Sequence, residues 1–563
     1  MSDPADSVRP VFELGLVMAG AISAGAYTAG VVDFLIEALD AYYAARDADG
    51  WTGPRHDVRV PVLAGASAGG MTSAIAAVQF MHPVTHMRPG RDLSLSEARR
   101  NQLYHSWVQQ IDIDKLLGTE DLRKRKALVS ALDSSALPAI AGGALEADGP
   151  RSQRPWVGEP LAVLLTVANL RGIPYGFRLY GATAGDAYGM TNHMDVMRFA
   201  VTWKKQRVPG FIPLDDTDCP GGNWPKLAEA ALATGAFPVG LSPRILTRSI
   251  GDYFGREEMR DPVAPREPDS YKFVCVDGGL MNNEPLEQAR RYLARAEADN
   301  RNPRDGAAAR RSVIMIDPFP NVVSFAPYKD GEDRILAMVP KMFGALVSQA
   351  RFKPEELQLA ESETNFSRFV ISPSRRNANG RLVEPAIASA TLGGFGGFFH
   401  ESFRRHDYLL GRKNCRSFLL RYLVLPESNR LFDGMSQAQR DAWYVKEFGG
   451  ALRMVSESKD GPADCRALPI IPLTPALQAD EDIPPADFPK PQQVDFERIE
   501  RQVRERIGAV AEVLVDEELG DYLPGWVRFG ARMAVKFSIQ DKLTRTVMTK
   551  LREGLAPLDS FAG

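Results

Sequence analysis

The sequence predicts an α/β fold with a mostly parallel central sheet, on three observations. Residues 11–18 form an apolar strand candidate that leads through a loop of small residues into a helical stretch. The same order recurs at once, because the β-branched run 58–63 is followed by a glycine-rich turn and an alanine-rich helix over 71–80. Successive strand-to-helix units are typical of parallel sheets covered by helices. We therefore expect three layers, helix on sheet on helix.

Later elements continue this sheet beyond residue 300. Two apolar runs, 161–170 and 173–180, flank Arg171 and Gly172 and predict a hairpin or a pair of edge strands. The pattern then predicts a helix over 226–234, a strand over 271–276, a helix over 284–295 and a strand over 312–316.

Composition and hydrophobic periodicity divide the 563 residues of the chain into two parts. Residues 1–425 carry the α/β pattern, interrupted by the charged and alanine-rich stretch 82–157, which predicts a helical insertion or cap. Residues 426–563 are expected to form a proline-rich arm and a mainly helical region. An apolar stripe from Phe496 to Val510 predicts one amphipathic helix there, which packs on the body or, alternatively, docks on a membrane.

Composition excludes several classes of protein. The chain is 44% apolar and 25% charged, as in globular proteins, and this argues against a disordered, collagenous or integral-membrane chain. Lys and Arg number 68 and Asp and Glu number 71, so the net charge of −3 gives no support to a nucleic-acid partner. Four cysteines lie far apart, which predicts neither a disulfide framework nor a zinc site: Cys219, Cys275, Cys415 and Cys465.

Localisation is expected to be cytoplasmic. The first ten residues contain no basic region ahead of an apolar core, so no secretory signal is predicted. Two uncharged runs, 14–32 and 60–81, reach the length of about 20 residues that spans a bilayer. Because small residues interrupt both, we predict buried strand, turn and helix in each, and no transmembrane helix.

The clearest chemical signal is the pentapeptide 65–69, Gly-Ala-Ser-Ala-Gly, between a strand and a helix. A sharp strand-to-helix turn would expose Ser67 as a nucleophile and leaves room only for minimal side chains, here Gly65 and Gly69 with two alanines. The N–H groups at the start of the helix would face a developing oxyanion. This context predicts a nucleophile elbow.

A serine nucleophile needs a base. Of the seven histidines, only His400 and His406 come late enough for the order Ser, acid, His. The other candidate is Asp277, at the end of a predicted strand and followed by Gly278 and Gly279. Functional groups gather outside the carboxyl ends of strands in open parallel sheets, and both Ser67 and Asp277 are predicted at such ends.

In these residues the sequence resembles the patatin-like phospholipases. The resemblance rests on the small-residue loop 20–25, the early Gly-x-Ser-x-Gly, the later Asp-Gly-Gly, and the stretches 231–238, 282–285 and 393–415. It covers about residues 10–425 and implies a catalytic domain with the patatin-like α/β/α fold.

The resemblance further implies a dyad in which Ser67 is the nucleophile and Asp277 the only base, with no catalytic histidine, metal or other cofactor. It places the oxyanion loop at Gly20, Ala21 and Ile22. The family pattern is typically Gly-Gly-Gly-x-Arg-Gly, and this chain has no arginine at the matching position. Backbone N–H groups remain in this loop, whereas Ile22 narrows the pocket or demands an unusual φ. No acidic loop with EF-hand spacing occurs, so calcium should not be required.

The expected function is hydrolysis of phospholipid, lysophospholipid or other acyl-ester lipids, with peripheral membrane contact. Two alternatives stay open: a non-catalytic protein that binds lipid or a partner, and a Ser-His-Asp esterase that uses His400 or His406. A cluster of aromatic and basic residues is expected either to touch a membrane or to pack in the core: Phe395, Phe398, Phe399, Phe403, Arg404 and Arg405.

Overall fold

The structure is a computed structural model. It describes residues 9–125, 127–178, 187–253, 270–294, 302–319, 365–377, 379–445, 466–479, 488–515 and 540–562, with isolated positions between these ranges. Parts of three predicted features lie outside the described residues: the end of the apolar run 173–180, the end of the helix 284–295, and residues 446–465 and 516–539 of the C-terminal region.

The described chain forms one central sheet. Its strands are β1 Val11–Met18, β2 Asp57–Gly65, β3 Val157–Arg178, β4 Ala187–Thr202, β5 Ile212–Asp215, β6 Arg244–Ser249, β7 Ser270–Asp277, β8 Arg311–Ile316 and β9 Arg368–Ile371. Seven of them follow the order β5-β4-β3-β2-β1-β8-β9, and β7 joins through β3 and carries β6. The pairs β1–β2, β2–β3, β1–β8, β8–β9 and β4–β5 are parallel, whereas β3–β4, β3–β7 and β6–β7 are antiparallel. A separate antiparallel pair is β10 Val424–Pro426 with β11 Ala467–Pro469.

Helices cover both faces of this sheet, and others form a second apolar cluster. They are α1 Gly25–Arg46, α2 Ser67–Gln79, α3 Leu95–Arg99, α4 Gln102–Tyr104, α5 Ile113–Leu116, α6 Glu120–Arg125, α7 Leu137–Gly143, α8 Trp224–Thr234, α9 Leu286–Ala294, α10 Glu401–Arg421, α11 Gln437–Trp443, α12 Pro475–Gln478, α13 Phe496–Val513 and α14 Gln540–Leu555. A π-helical turn, His105–Gln110, follows α4.

Side chains alternate between the two faces of the sheet along each strand, and helices cover both faces. In β1, Leu14 and Leu16 join the large core formed with α1, α2 and α8. Val17, the residue after Leu16, faces the other way and packs with Leu286 and Leu293 of α9. The predicted α/β fold with three layers and a mostly parallel sheet is therefore confirmed.

One strand prediction is wrong. The runs 161–170 and 173–180 do not pair with each other, because Val157–Arg178 is a single long strand. Its antiparallel partner is β4, and the register shifts between Ala168 and Ile173. Gly172 has φ +70° there, so the break that suggested a turn is an irregularity within one strand.

The stretch 82–157 contains six short helical segments among its described residues, α3 to α7 and the π-helical turn, and its role as an insertion or cap stays a prediction. It meets the C-terminal helices in a second apolar cluster, where Ile113 and Leu116 pack with Ile499 and Val503 of α13 and Leu551 of α14. The predicted amphipathic helix thus packs on the body of the protein. The division into 1–425 and 426–563 stays a prediction.

Among the described residues, the helical stretch Ile22–Arg46 is long and apolar enough to cross a membrane. Its most apolar window is 89% buried inside the protein. Both uncharged runs form the predicted strand, turn and helix, β1–α1 and β2–α2.

Helices α1 and α10 cross with their backbones in close contact. A Cβ atom on Gly30 would clash with the carbonyl oxygen of Tyr408, and one on Gly411 would clash with that of Tyr27. Glycine is therefore required at both positions of this crossing.

We predict that Gly30→Ala lowers the free energy of unfolding by about 1 to 3 kcal/mol, since the added methyl overpacks this contact. Gly142→Ala is the matched control, because space is open around Gly142 and alanine favours the helix by up to about 1 kcal/mol. Urea unfolding of both variants measures the difference. Equal stability of the two would contradict the proposed contact.

Candidate active site

The nucleophile elbow is built where β2 turns into α2. Ala66 is extended, whereas Ser67 has φ +51°, a left-handed conformation that non-glycine residues adopt rarely. The N–H of Ser67 donates to Thr234 Oγ1 at 2.9 Å, which fixes the turn. A Cβ atom on Gly69 would clash with the carbonyl oxygen of Met18, and one on Gly65 would clash with the backbone of Gly69. The chain therefore closes this turn only with small residues.

Asp277 meets Ser67 from the end of β7. The Ser67 hydroxyl donates to Asp277 Oδ2 at 2.6 Å. The other carboxylate oxygen, Oδ1, accepts the N–H of Gly279 at 2.7 Å. Ser67 is 7% exposed and Asp277 is 4% exposed, so the pair lies almost entirely away from water. Gly278 packs so closely on Thr166 that a Cβ atom there would clash with the Thr166 carbonyl oxygen.

Strand β3 brings the two residues together. It pairs with the end of β2, Gly65 opposite Leu165, and two residues later with the end of β7, Asp277 opposite Val167. The pairing with β2 is parallel and that with β7 is antiparallel, so the carboxyl ends of β2 and β7 meet head to head. The prediction that both strands end at one edge of a parallel sheet is therefore wrong for β7, which runs antiparallel to β3.

Burial changes the acid strength of Asp277. It raises the pKa of the carboxyl from 3.8 to about 6, because the charged form loses hydration. The hydrogen bonds from Ser67 and Gly279 oppose this shift without cancelling it. The carboxylate is therefore a stronger base than an exposed aspartate and is ionised at neutral pH.

The loop after β1, predicted as the oxyanion loop, lies beside Ser67. A Cβ atom built on Gly20 would stand 3.0 Å from Ser67 Cβ. The Gly20 N–H donates to the Asn283 carbonyl oxygen at 3.2 Å, which leaves Ala21 and Ile22 as candidate donors to a ligand. Ile22 has φ +46° and its side chain lines the pocket at Ser67. The unusual φ expected of this isoleucine is therefore observed, whereas its effect on the width of the pocket stays a prediction.

The late glycine-rich stretch holds this loop in place. Ser23 Oγ donates to the carbonyl oxygen of Gly394 and accepts the N–H of Gly397 at 3.0 Å. Gly394, at φ +102°, packs on the side chain of Ile22. The strained backbone at Ile22 is thus fixed by contacts from a segment more than 370 residues away in sequence.

The aromatic cluster belongs to the interior of the protein. Phe399 and Phe403 are buried in the second apolar cluster, and Phe395 and Phe398 line the pocket at Ser67. The guanidinium of Arg404 is buried and donates to the carbonyl oxygens of Val108, Gly397 and Phe398. Arg405 donates to Asp92 and to the Arg91 carbonyl oxygen. Of the two expectations for this cluster, core packing is the one observed.

A narrow, mostly apolar pocket with a volume of about 40 Å³ lies at Ser67. Its walls come from the first loop, from the helical stretch 82–157, from the segment after α8 and from the late aromatic stretch. The residues are Ile22, Ser67, Ala68, Met71, Trp107, Ile111, Leu116, Leu132, Leu137, Gly235, Phe237, Leu241, Phe395 and Phe398. An apolar ligand group would therefore contact the nucleophile in a water-poor environment.

The histidines considered as bases have other partners. His400 caps α10, where its ring contacts Ser402 Oγ at 2.7 Å and accepts the Ser402 N–H. His406 is fully buried, with Nδ1 2.9 Å from Asp407 Oδ1. Among the hydrogen bonds of the described residues, none joins an imidazole to Ser67 or Asp277. The geometry therefore favours the dyad over the Ser-His-Asp alternative.

The described part of the chain contains no group of three or more His, Cys, Asp or Glu side chains arranged to hold a metal ion. The polar groups at Ser67 include its own hydroxyl, the carboxylate of Asp277 and backbone N–H groups. This arrangement suits acyl transfer through a serine ester.

Sequence reasoning missed two residues that support the pair. Thr234 accepts the N–H of Ser67, and it lies in the small-residue stretch 231–238 that carried part of the family resemblance. Asn283 touches both loops: its carbonyl oxygen accepts from Gly20, and its Oδ1 lies so close to Gly279 that a Cβ atom there would stand 2.6 Å away. The resemblance marked both stretches, but only the fold shows the contacts.

We predict that Thr234→Val lowers the free energy of unfolding by about 1 to 3 kcal/mol, because it leaves the buried N–H of Ser67 without an acceptor. Thr234→Ser keeps the hydroxyl and loses one methyl, at a cost of about 1 kcal/mol. Urea denaturation compares the two variants. If valine were tolerated better than serine, the hydrogen bond would not be holding the elbow.

A second prediction concerns the dependence of stability on pH. The Asp277 carboxyl ionises above about pH 3.8 in the unfolded chain. In the folded chain it ionises only above about pH 6, because burial raises its pKa. The folded protein therefore loses about 3 kcal/mol from this group as the pH rises through that window. Asparagine does not ionise, so the Asp277→Asn variant does not lose this free energy. The free energy of unfolding of the variant minus that of wild type should therefore increase by about 3 kcal/mol from pH 3.5 to pH 7.5.

Unfolding by urea at both pH values, for both proteins, measures this change directly. Effects of all other groups cancel in the difference between the proteins. A difference that stays constant with pH would show that Asp277 is not desolvated.

Comparison with known proteins identifies a relative. No family model matches the sequence. VipD from Legionella pneumophila aligns structurally over 100% of this chain and 93% of its own, at 11% identity and a TM-score of 0.24, too low to support an argument. "Uncharacterized protein y4iI" of Sinorhizobium fredii (strain NBRC 101917 / NGR234) is 35% identical over 574 aligned positions, which cover 91% of this chain and 77% of that protein. The chain therefore belongs to the same protein family as y4iI.

Proposed function

We propose that this protein is a patatin-like serine acyl hydrolase that cleaves carboxylic esters of lipids through Ser67 and Asp277. The observation that carries the proposal is the 2.6 Å hydrogen bond from the Ser67 hydroxyl to Asp277 Oδ2 at the base of an apolar pocket. The motifs that resemble the patatin-like phospholipases support the same chemistry.

In the first half-reaction, Ser67 Oγ forms a bond to the ester carbonyl carbon while Asp277 accepts the hydroxyl proton. The carbonyl electron pair moves onto its oxygen. When the tetrahedral intermediate collapses, the bond to the alcohol oxygen breaks and the alcohol takes the proton from Asp277. The acyl group remains on Ser67.

In the second half-reaction, Asp277 accepts a proton from water as the water oxygen adds to the acyl carbon. Collapse breaks the bond to Ser67 Oγ, which takes the proton back, and the carboxylic acid leaves. One carboxylate thus serves both halves. Its raised pKa of about 6 suits this role, because a base works best when its pKa is near the operating pH.

Backbone N–H groups would stabilise the oxyanion. Ala21 and Ile22 belong to the loop that packs on Ser67, and Ala68 lies in the first turn of α2, where helix N–H groups lack intrahelical partners. The missing arginine of the family pattern does not remove such donors. The left-handed conformation of Ile22, held by Gly394, is compatible with a preformed loop.

Two features support a lipid substrate. The pocket above Ser67 is mostly apolar, as an acyl chain requires. Val239 lies between the pocket residues Phe237 and Leu241, is 81% exposed, and has φ +65°. An exposed β-branched residue in that conformation is unusual, and it suits contact with a lipid surface beside the pocket. We propose phospholipids, lysophospholipids or related acyl-ester lipids as substrates at a membrane periphery.

The test is release of fatty acid from a panel of lipid vesicles. Ser67→Ala and Asp277→Asn should each lower hydrolysis at least about 10³-fold, since the first removes the nucleophile and the second the base. Wild-type kcat/KM should fall about tenfold per pH unit below pH 6, as protonation of Asp277 removes the base. A fluorophosphonate probe should label wild type and not Ser67→Ala.

The control is His400→Asn, which keeps a side chain able to cap α10 and should leave hydrolysis unchanged. Loss of activity in this variant alone would favour the Ser-His-Asp alternative. Absence of both labelling and hydrolysis in the folded wild type would favour a non-catalytic binding protein.

A further inference from the structure

A second cavity lies behind the pocket at Ser67. It has a volume of about 70 Å³, and four residues line both spaces: Met71, Trp107, Ile111 and Leu137. Its farther wall is made by α7 and α8 and is nearly all apolar, with Ile140, Ala141, Ala144, Ala228 and Ala231 among its residues. Ser106 and the indole of Trp107 supply its polar side-chain groups. The two cavities are therefore neighbours that share part of their lining.

The lining that the two cavities share includes side chains that can move. Met71 has an unbranched thioether side chain with several rotatable bonds, which adapts readily to its surroundings. Trp107 sits in the π-helical turn His105–Gln110, a rare conformation that occurs often at functional sites. A shift of these two side chains would join the pocket at Ser67 to the second cavity without any change of the sheet.

We propose that the second cavity binds the distal part of the acyl chain of the ester substrate. The chain would enter from Ser67, pass between Met71 and Trp107, and end against the small residues of α7 and α8. This inference rests on the proposed function and adds the substrate class, long-chain acyl esters. Alanines on the far wall leave the volume that the terminal methylenes would fill.

The assignment has a quantitative consequence. Each methylene transferred from water into an apolar cavity favours binding about fourfold. Preference should therefore rise with acyl length while the chain extends into the second cavity. A short chain, which reaches only the pocket at Ser67, should gain nothing from that cavity.

The experiment fills the second cavity from its far wall. Ala141→Phe places a ring in the cavity, and Ala139→Phe makes the same change at an exposed position of α7 as the matched control. Ala228→Leu, from the opposite wall on α8, provides a second variant in case Ala141→Phe does not fold. Substrates are p-nitrophenyl butyrate and p-nitrophenyl laurate.

We expect Ala141→Phe to lower kcat/KM for the laurate ester at least tenfold and to leave that for the butyrate ester within twofold of wild type. Ala139→Phe should resemble wild type on both esters. If the ratio of laurate to butyrate turnover is the same in wild type, Ala141→Phe and Ala228→Leu, the acyl-chain assignment is wrong, while the proposed hydrolase stands.

Calorimetric titration of laurate and butyrate into Ser67→Ala protein separates this inference from the proposed function. Laurate binding that is lost when Ala141→Phe is added supports the cavity assignment even if no ester is hydrolysed. Laurate binding that is unaffected by Ala141→Phe overturns it.

Discussion

The long strand β3 is the constraint on which the site depends. It continues past the end of β2 and there pairs with β7 in the opposite direction, so that Gly65, two residues before Ser67, and Asp277 pair with positions two residues apart on one strand. Backbone hydrogen bonds in a buried sheet leave little freedom for either partner to shift. A separation of 210 residues in sequence thus becomes a hydrogen bond of 2.6 Å.

Strain and desolvation at the site are maintained by the surrounding structure. The left-handed conformations of Ser67 and Ile22 are each held by a contact from elsewhere, Thr234 for the first and Gly394 for the second. The same close packing removes water from Asp277 and so raises its pKa. Geometry and basicity therefore have one cause, the burial of a small polar pair among apolar and glycine-rich segments.

The regions around the sheet shape the space above the nucleophile. The helical stretch 82–157 supplies Trp107 and Leu137, and the late aromatic stretch supplies Phe395. The C-terminal helix α13 is tied to the former by Arg506, whose guanidinium pairs with Asp121 and donates to the Gly118, Ser130 and Ala131 carbonyl oxygens. Parts of the chain far apart in sequence thus contribute to one apolar enclosure.

The sequence by itself determined the local elements and the chemistry of the candidate residues. Apolar periodicity predicted β1, β2 and α2, and the small residues around Ser67 predicted a strained turn, because these patterns express short-range sterics and burial. Asp277 was singled out from its position at the end of a predicted strand, from the two glycines that follow it, and from the family resemblance.

Only the tertiary structure decided which distant segments meet. It made one strand of the two runs around Gly172, turned β7 antiparallel to β3, and buried the aromatic cluster that a membrane could equally have covered. It also assigned Thr234 and Asn283 to the support of the pair. Strand direction, register and burial depend on contacts between residues far apart in the chain, which the spacing of residues along one segment does not encode.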